Sequence, residues 1–304
     1  MRRVRTLSLF TLGTAQWGQS YGISNKTGKP EKSEIESMLG FAASSDITII
    51  DTARTYGLSE KVIGEILKTR PDNKFRIITK LSPDVYEQGF SEKDTITKVK
   101  ISIQESLKAL QVEKLDTLLL HRGFHRSIMS GIIWETLKGL QNSGVISKIG
   151  ISAVNPEEAL EAICDPSVEV IQVASSLLDQ RLIRDGFFDK ALKQSREVFV
   201  RSVYLQGVAF LDPNRLPGHL KPLAPTLNSI QILSQDLHVK PEEIWLHFAR
   251  SISAKNLVLG TESLIQLMSN IEIMNKPISA EVEEFSSKIP QFDAALLDPS
   301  LWKL

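Results

Sequence analysis

Residues 47–65 read ITIIDTARTYGLSEKVIGE, and this stretch decides the fold. A short strand-like run, 47–50, stops on a carboxylate, Asp51. A small-residue turn follows, carrying Tyr56 and Gly57. Ser59 and Glu60 then open a helical pattern over Ser59–Lys68, with Val62, Ile63, Ile66 and Leu67 on one face. Strand, loop and helix make one βα unit, and loops at strand ends carry chemistry on a rigid scaffold. Taken alone, Asp51 is equally well a turn cap and Tyr56 an amphipathic plug. Other strand ends must agree before a site is read here.

The same unit recurs in both directions. Upstream, 9–13 reads as a strand, 14–30 as a loop holding Trp17 and Tyr21, and 31–44 as a helix with Ile35, Met38, Leu39 and Ala42 in register. Downstream, strands are expected at 75–80, 115–120, 148–152, 168–173, 198–203 and 256–260. Helices are expected at 95–110, 132–142, 156–163, 183–194 and 263–273. Gly144 marks one helix stop and Pro156 sits in another first turn. A Pro-bearing loop (Pro213, Pro217, Pro222) leads into two further helices, 226–237 and 242–252.

Most of these strands are too apolar to have a wet face, which implies a parallel sheet covered on both sides. Eight βα units in this length predict an α/β fold of the closed (β/α)8 TIM-barrel type. The chain is read as one domain over 1–304, with 274–304 packed along the outside. A doubly wound open sheet is the alternative, but no Gly-x-Gly-x-x-Gly follows the first strand.

Composition narrows the function. Lys plus Arg and Asp plus Glu number 36 each, so no basic excess points to nucleic acid or a membrane surface. One cysteine, Cys164, excludes an internal disulfide and a cysteine-based metal cluster. It is read as a buried or neutral thiol, in keeping with a reducing, cytoplasmic setting. The basic segment 1–5 ahead of an apolar run at 7–15 loosely imitates a signal peptide, but the run is broken by Ser8, Thr11, Gly13 and Thr14 and is read as holding the first strand. No apolar run reaches the roughly 20 residues that span a bilayer.

A barrel places its site at the C-terminal strand ends. Strand two ends on Asp51 with Tyr56 beyond it, strand three on Lys80 and strand four on His121. Singly, Lys80 is a solvated strand end and His121 a hydrogen-bonded core histidine. Three successive strand ends carrying Asp and Tyr, Lys, and His are harder to assign to chance.

On these residues the chain resembles the aldo-keto reductases, nearly end to end. Leu12 to Gln16 resembles the family's first strand and turn. Asp51-Thr52-Ala53, Tyr56-Gly57 and Ser59-Glu60 resemble its most specific motif. Thr79-Lys80 and Leu120-His121 match the remaining tetrad positions, and Gly260 to Ser263 with Gln266, Leu267 and Asn270 resembles its C-terminal cofactor motif. The resemblance implies hydride transfer between a nicotinamide and a carbonyl, with Asp51, Tyr56, Lys80 and His121 catalytic. Tyr56 is then the general acid, Lys80 the cation favouring its anion, Asp51 the partner of Lys80, and His121 the donor that orients the substrate oxygen.

The resemblance also implies that Ser152 and Gln172 hold the nicotinamide carboxamide, although Ala153 stands where many members have Asn. Ser202 falls at the ring-stacking position, with Tyr204 as an alternative after a shift of register. Leu205, Gln206 and Gly207 meet the pyrophosphate. Gly260, Thr261, Ser263, Gln266 and Asn270 hold the adenosine end. Gln266 replaces an Arg found in some members, and Arg250, Lys255 and Lys148 are the candidate substitutes for a 2′-phosphate partner. NADPH is the expected cofactor, with NADH possible.

Trp17 and Tyr21 are read as substrate-pocket walls or as packing for their loop, and Trp302 as a pocket cover or a tail anchor. No metal is expected: His121 and His125 lack the Glu of a zinc helix motif. His219, His238 and His247 are read as surface or packing residues. The expected partner is a small carbonyl substrate, tilted by the resemblance toward a sugar or sugar-derived aldehyde. Two other readings stand beside the reductase: a cofactor-binding, subunit-like barrel with little turnover, and a metal-dependent barrel hydrolase.

Overall fold

The computed structural model describes residues 10–70, 74–253 and 256–302. The expected strand start at Leu9, the 1–5 segment and Lys255 lie outside them. Eight parallel strands close in sequence order: β1 (Phe10–Gly13), β2 (Ile49–Asp51), β3 (Arg76–Leu81), β4 (Leu115–Leu120), β5 (Ile146–Ser152), β6 (Val170–Ala174), β7 (Glu197–Arg201) and β8 (Asn256–Gly260). The ring is completed by β1 on β8, Phe10 opposite Leu257 and Gly13 opposite Gly260. This is the (β/α)8 barrel expected.

Side chains alternate across a strand, so residues two apart share a face. Ile78, Leu119, Val170, Phe199 and Val258 form one buried cluster, with Ile49 packed against it. They fill the barrel's middle, each buried side chain worth roughly 1.5–3 kcal/mol. Two residues before this layer, Arg76 and Lys148 pair with Glu197 at the N-terminal end of the barrel. Two residues after it, the same face carries Asp51, Lys80, His121, Gln172, Arg201 and Gly260. One apolar layer thus separates an ionic lower end from a polar upper end.

Outside the ring, helices lay their apolar stripes on the sheet. Ser59–Lys68 buries Ile63, Ile66 and Leu67, and Glu92–Leu110 buries Val99, Ile103 and Leu110. The latter begins three residues before its expected start because Ser91 and Asp94 form a reciprocal capping box. The single helix expected over 183–194 is two, Arg181–Arg184 and Phe187–Lys193, broken where Gly186 turns left-handed at φ +67°. The loop expected at 14–30 contains one helical turn, Ala15–Gly18. In the tail, the helix Ala280–Ser287 buries Val282, and the Ser286 carbonyl accepts from Gln180 at 3.0 Å.

Candidate active site

Lys80 is fully buried, and its ammonium makes three bonds: both Asp51 oxygens at 2.8 Å and the Thr52 carbonyl at 2.9 Å. A buried cation is tolerated only when paired and hydrogen-bonded. Burial pushes its pKa down, but the Asp51 carboxylate and Tyr56 outweigh that, leaving it above the ordinary lysine value. The ammonium lies 4.9 Å from the centroid of the Tyr56 ring. The His121 ring stands edge-on to that phenol, 6.0 Å between centroids and 88° between planes. Asp51, Lys80 and His121 therefore meet, as their shared face predicts, and the turn after β2 brings Tyr56 to them.

The turn bearing Tyr56 is clamped from the first loop. Ser59 donates to Thr14, 2.8 Å to its hydroxyl and 3.1 Å to its carbonyl, while Thr52 donates to the Ser59 hydroxyl at 3.0 Å. Gly18 packs so closely that a Cβ there would fall 1.6 Å from the Tyr56 carbonyl oxygen. Gly57, at φ +55°, returns the contact: its Cβ would fall 2.3 Å from the Gly18 oxygen. No side chain fits at either position, so the two backbones fix where the phenol points.

His121 is held neutral. Burial first, then the positive charges of Lys80, Arg201 and Arg122, press its pKa from 6.5 to about 3. Its Nδ1 lies 3.2 Å from the Thr55 hydroxyl. His125 is also depressed, to about 4, by burial and Arg122.

A cleft of about 860 Å³ opens above this layer, within the ~300–1,000 Å³ typical of ligand and cofactor sites. Tyr56, Asp51, Tyr21, Arg201, Ser202, Gln206, Gly207, Gly260, Gln266 and Asn270 line it. Lys80, Ser152 and Gln172 lie buried beneath its floor. Gln172 donates to Asp51 Oδ1 at 2.7 Å and keeps a buried Oε1 with no partner. That orphaned acceptor needs an N–H donor, and the amide of a nicotinamide carboxamide is one, so the residues present fit the cofactor that the sequence implied. The loop after β7 runs left-handed at Ser202, Leu205, Gln206 and Gly207 (φ +61°, +43°, +52° and +100°), which is characteristic of backbone shaped around a ligand. It is stitched to the first loop by Ile23 N–H donating to the Gln206 carbonyl at 3.0 Å.

Several expected contacts fall elsewhere. Trp17 is fully buried, and its indole donates to the Thr261 carbonyl at 3.1 Å, so it anchors its loop instead of walling the cleft. Thr261 is itself buried with its hydroxyl on Met38 Sδ at 3.5 Å, turned away from any phosphate. Ser263 caps the helix Leu264–Asn275 by accepting from Gln266 N–H, and it is not on the cleft wall. Leu205 is buried, leaving only its backbone for a ligand. Tyr204 is not free to stack, because its hydroxyl donates to Asn270 at 2.8 Å and its ring packs on Phe210.

Among the substitute cations, Arg250 bonds the Ile273 and Lys276 carbonyls, and Lys148 is held by Glu197 at the barrel's other end. Trp302 packs against His219 and anchors the tail. Cys164 is exposed, not buried.

Arg201 is the residue that sequence reasoning passed over. Strand seven was expected to run to residue 203, but Ser202 at φ +61° ends it at Arg201. Two residues beyond the inward Phe199, it is Arg201 that joins the upper layer, and Ser202 steps outside it. A charged residue at a strand end was the same signal that found Asp51, Lys80 and His121.

A family model described as the aldo/keto reductase family matches residues 10–287. An uncharacterized oxidoreductase of Bacillus subtilis is 23% identical over 269 residues, spanning 81% of this chain and 83% of that protein. The D-arabinose 1-dehydrogenase of Saccharomyces cerevisiae is 31% identical over 154 residues, 48% of this chain and 43% of that protein. In fold, an aldo-keto reductase of Bacillus halodurans, solved in its holo form, superposes with a TM-score of 0.72 at 21% identity, covering 95% of each chain. The family match spans the barrel from its first strand past its last, and the chain belongs to the aldo/keto reductase family of oxidoreductases.

Proposed function

We propose that this chain uses NADPH to reduce an aldehyde or ketone to the alcohol, with Tyr56 as the general acid. The observation that carries the reading is the stack of Asp51, Lys80 and Tyr56 at the floor of the cleft, with the ammonium fixed at 2.8 Å from both carboxylate oxygens and 4.9 Å from the phenol's ring centre. A reduced nicotinamide bound in the cleft supplies the hydride.

The chain's own residues manage the proton. As the carbonyl oxygen gains charge, the Tyr56 hydroxyl donates to it. A phenol near pKa ~10 is a poor acid at neutral pH unless its anion is stabilised, and the buried Lys80 cation does this. Asp51 keeps Lys80 charged and in place. His121, neutral at working pH, acts as an N–H donor. When the Thr55 hydroxyl donates to Nδ1, the hydrogen resides on Nε2, free to orient the substrate oxygen.

For the cofactor, Ser152 and Gln172 hold the carboxamide, and Ser202 with the backbone of Leu205, Gln206 and Gly207 meets the pyrophosphate turn. Gly260, whose Cβ would strike the Gln16 side chain at 2.6 Å, lets the backbone approach. Gln266 and Asn270 serve the adenosine end; the Asn270 side-chain oxygen accepts from Tyr204, which leaves its amide N–H groups for the ligand. Tyr21 walls the substrate side. Half-length similarity to D-arabinose and D-threo-aldose dehydrogenases supports a sugar or sugar-derived carbonyl.

The test is Tyr56→Phe assayed against a carbonyl panel with NADPH and NADH in parallel. Turnover should fall by at least ~10², while NADPH binding, followed by protein fluorescence, persists. Retained turnover in that variant would remove Tyr56 from the role.

A further inference from the structure

We propose that Arg201 is an anion-recognition residue of the substrate pocket, and that the carbonyl compound reduced here carries a carboxylate or phosphate group. The inference rests on the reductase reading above and adds the substrate's charge.

Arg201 closes β7 on the inward face, in the same layer as Asp51, Lys80 and His121, and it lines the same cleft as Tyr56 and Tyr21. Its guanidinium is half-buried and held by neutral acceptors only: the Ala153 carbonyl at 3.0 Å and the Ser202 hydroxyl at 3.2 Å. The other cations on the barrel's inward face each have a carboxylate, Arg76 and Lys148 on Glu197 and Lys80 on Asp51. Among the described residues, Arg201 has none.

The charges of the upper layer therefore do not cancel. Asp51 is consumed by Lys80, His121 is neutral, and Arg201 remains as the positive charge of this layer that has no carboxylate partner among the described residues. Its field reaches the reaction centre, since it depresses His121 and acts on the Tyr21 hydroxyl. A guanidinium has five N–H donors in a planar fork, and the two known acceptors leave donors for a ligand. A partly desolvated, unpaired cation beside a pocket favours a ligand that brings the missing anion, through a charge-assisted and often bidentate bond. The two acceptors behind it fix the fork instead of neutralising it.

Two matched pairs test this: 4-oxobutanoate against butanal, and glyceraldehyde 3-phosphate against glyceraldehyde. The native protein should favour at least one charged member in kcat/KM by about tenfold or more, the scale of one charge-assisted bond. In Arg201→Gln that ratio should collapse, mainly through KM, and Arg201→Lys should restore part of it. The pair that responds tells carboxylate from phosphate.

A ratio near one in the native protein, or a ratio unchanged while both members weaken together in Arg201→Gln, overturns the proposal and makes Arg201 a structural tie. Equal loss with parallel loss of NADPH affinity also overturns it, by making Arg201 a cofactor ligand. Titration of succinate and glycerol 3-phosphate, with and without NADP⁺, reads the site without turnover. Binding lost in Arg201→Gln supports the proposal, and no binding to the native protein overturns it. Reduction of the neutral aldehydes alone leaves the reductase reading standing while the anion site fails.

Discussion

Gln172 on β6 donates to Asp51 on β2 across the barrel, 2.7 Å from Nε2 to Oδ1. The residue assigned to the cofactor's carboxamide thus also touches the carboxylate that holds Lys80. Its second polar atom, Oε1, is buried without a partner. On the proposed reading, cofactor binding and the proton machinery share one amide, so occupancy of the first should be felt by the second.

Gln172→Leu should accordingly do two things at once. NADPH affinity should weaken by about tenfold, the scale of a lost buried hydrogen bond. The turnover number should also drop, because Asp51 loses one of its donors. Fluorescence titration measures the first and saturating-cofactor kinetics the second. An effect on affinity alone would show that the contact with Asp51 is incidental.

The buried pair gives a prediction that separates stability from catalysis. Removing one partner strands a charge, so Asp51→Asn or Lys80→Met alone should cost about 3–5 kcal/mol. The double variant Asp51→Asn/Lys80→Met leaves no charge behind and should recover most of that loss, yet remain inactive. Urea denaturation of the three variants beside an NADPH oxidation assay checks both halves. A double variant as unstable as either single one would mean that hydrogen bonds, not charge burial, dominate the site.

Acid sensitivity follows from the two histidines depressed furthest, both just beyond β4. His121 and His125 are held neutral in the fold, at about 3 and about 4, against 6.5 when unfolded. Between those values the unfolded chain binds protons that the folded chain refuses, so stability rises with pH. Their contribution is complete above pH ~6.5 and is lost as pH falls to about 4 for His125 and about 3 for His121, by about 1.4 kcal/mol per pH unit for each fully titrating histidine. Urea midpoints between pH 7 and 5 should fall in the native protein, and the fall should be about halved in His125→Phe, where His121 alone remains. A native profile flat over that range would contradict these environments.

The fold was legible because buried parallel strands and amphipathic helices alternate without interruption, and both leave periodic marks. The meeting of Asp51, Lys80 and His121 was legible for a related reason: a polar residue ending an apolar strand is a strong contrast. What was hidden depended on direction rather than on residue type. Thr261 and Ser263 look like phosphate donors at a helix start, but one hydroxyl turns onto Met38 and the other caps its own helix. Composition is the same either way. Arg201 was missed by a strand end misplaced by two residues, where a positive φ at Ser202 broke a run that looked continuous. Trp17 gave no sign that its partner would be the Thr261 carbonyl, distant in sequence.

The last prediction concerns the choice between the two nicotinamide cofactors. Glu262 lines the cleft at the turn after β8, and burial raises its carboxyl above the ordinary value, with Gln266 opposing. Its own N–H donates to the Gln266 side-chain oxygen at 2.8 Å, which folds that amide over the turn and leaves its N–H groups available. Among the described residues Glu262 has no ion-pair partner, so a 2′-phosphate carrying up to two negative charges would meet an anion near its donors. Arg215 and Lys240 line the same cleft and offset it in part. The balance predicts NADPH over NADH by about one to two tenfold units, each worth ~1.4 kcal/mol. Glu262→Gln should widen that ratio by about tenfold. Because a raised carboxyl takes up its proton earlier as pH falls, the native ratio should respond to acid more strongly than that of Glu262→Gln. The kcat/KM for both cofactors with one carbonyl, at two pH values, decides it. A native preference for NADH would show that the anion at this turn outweighs the cations across the cleft.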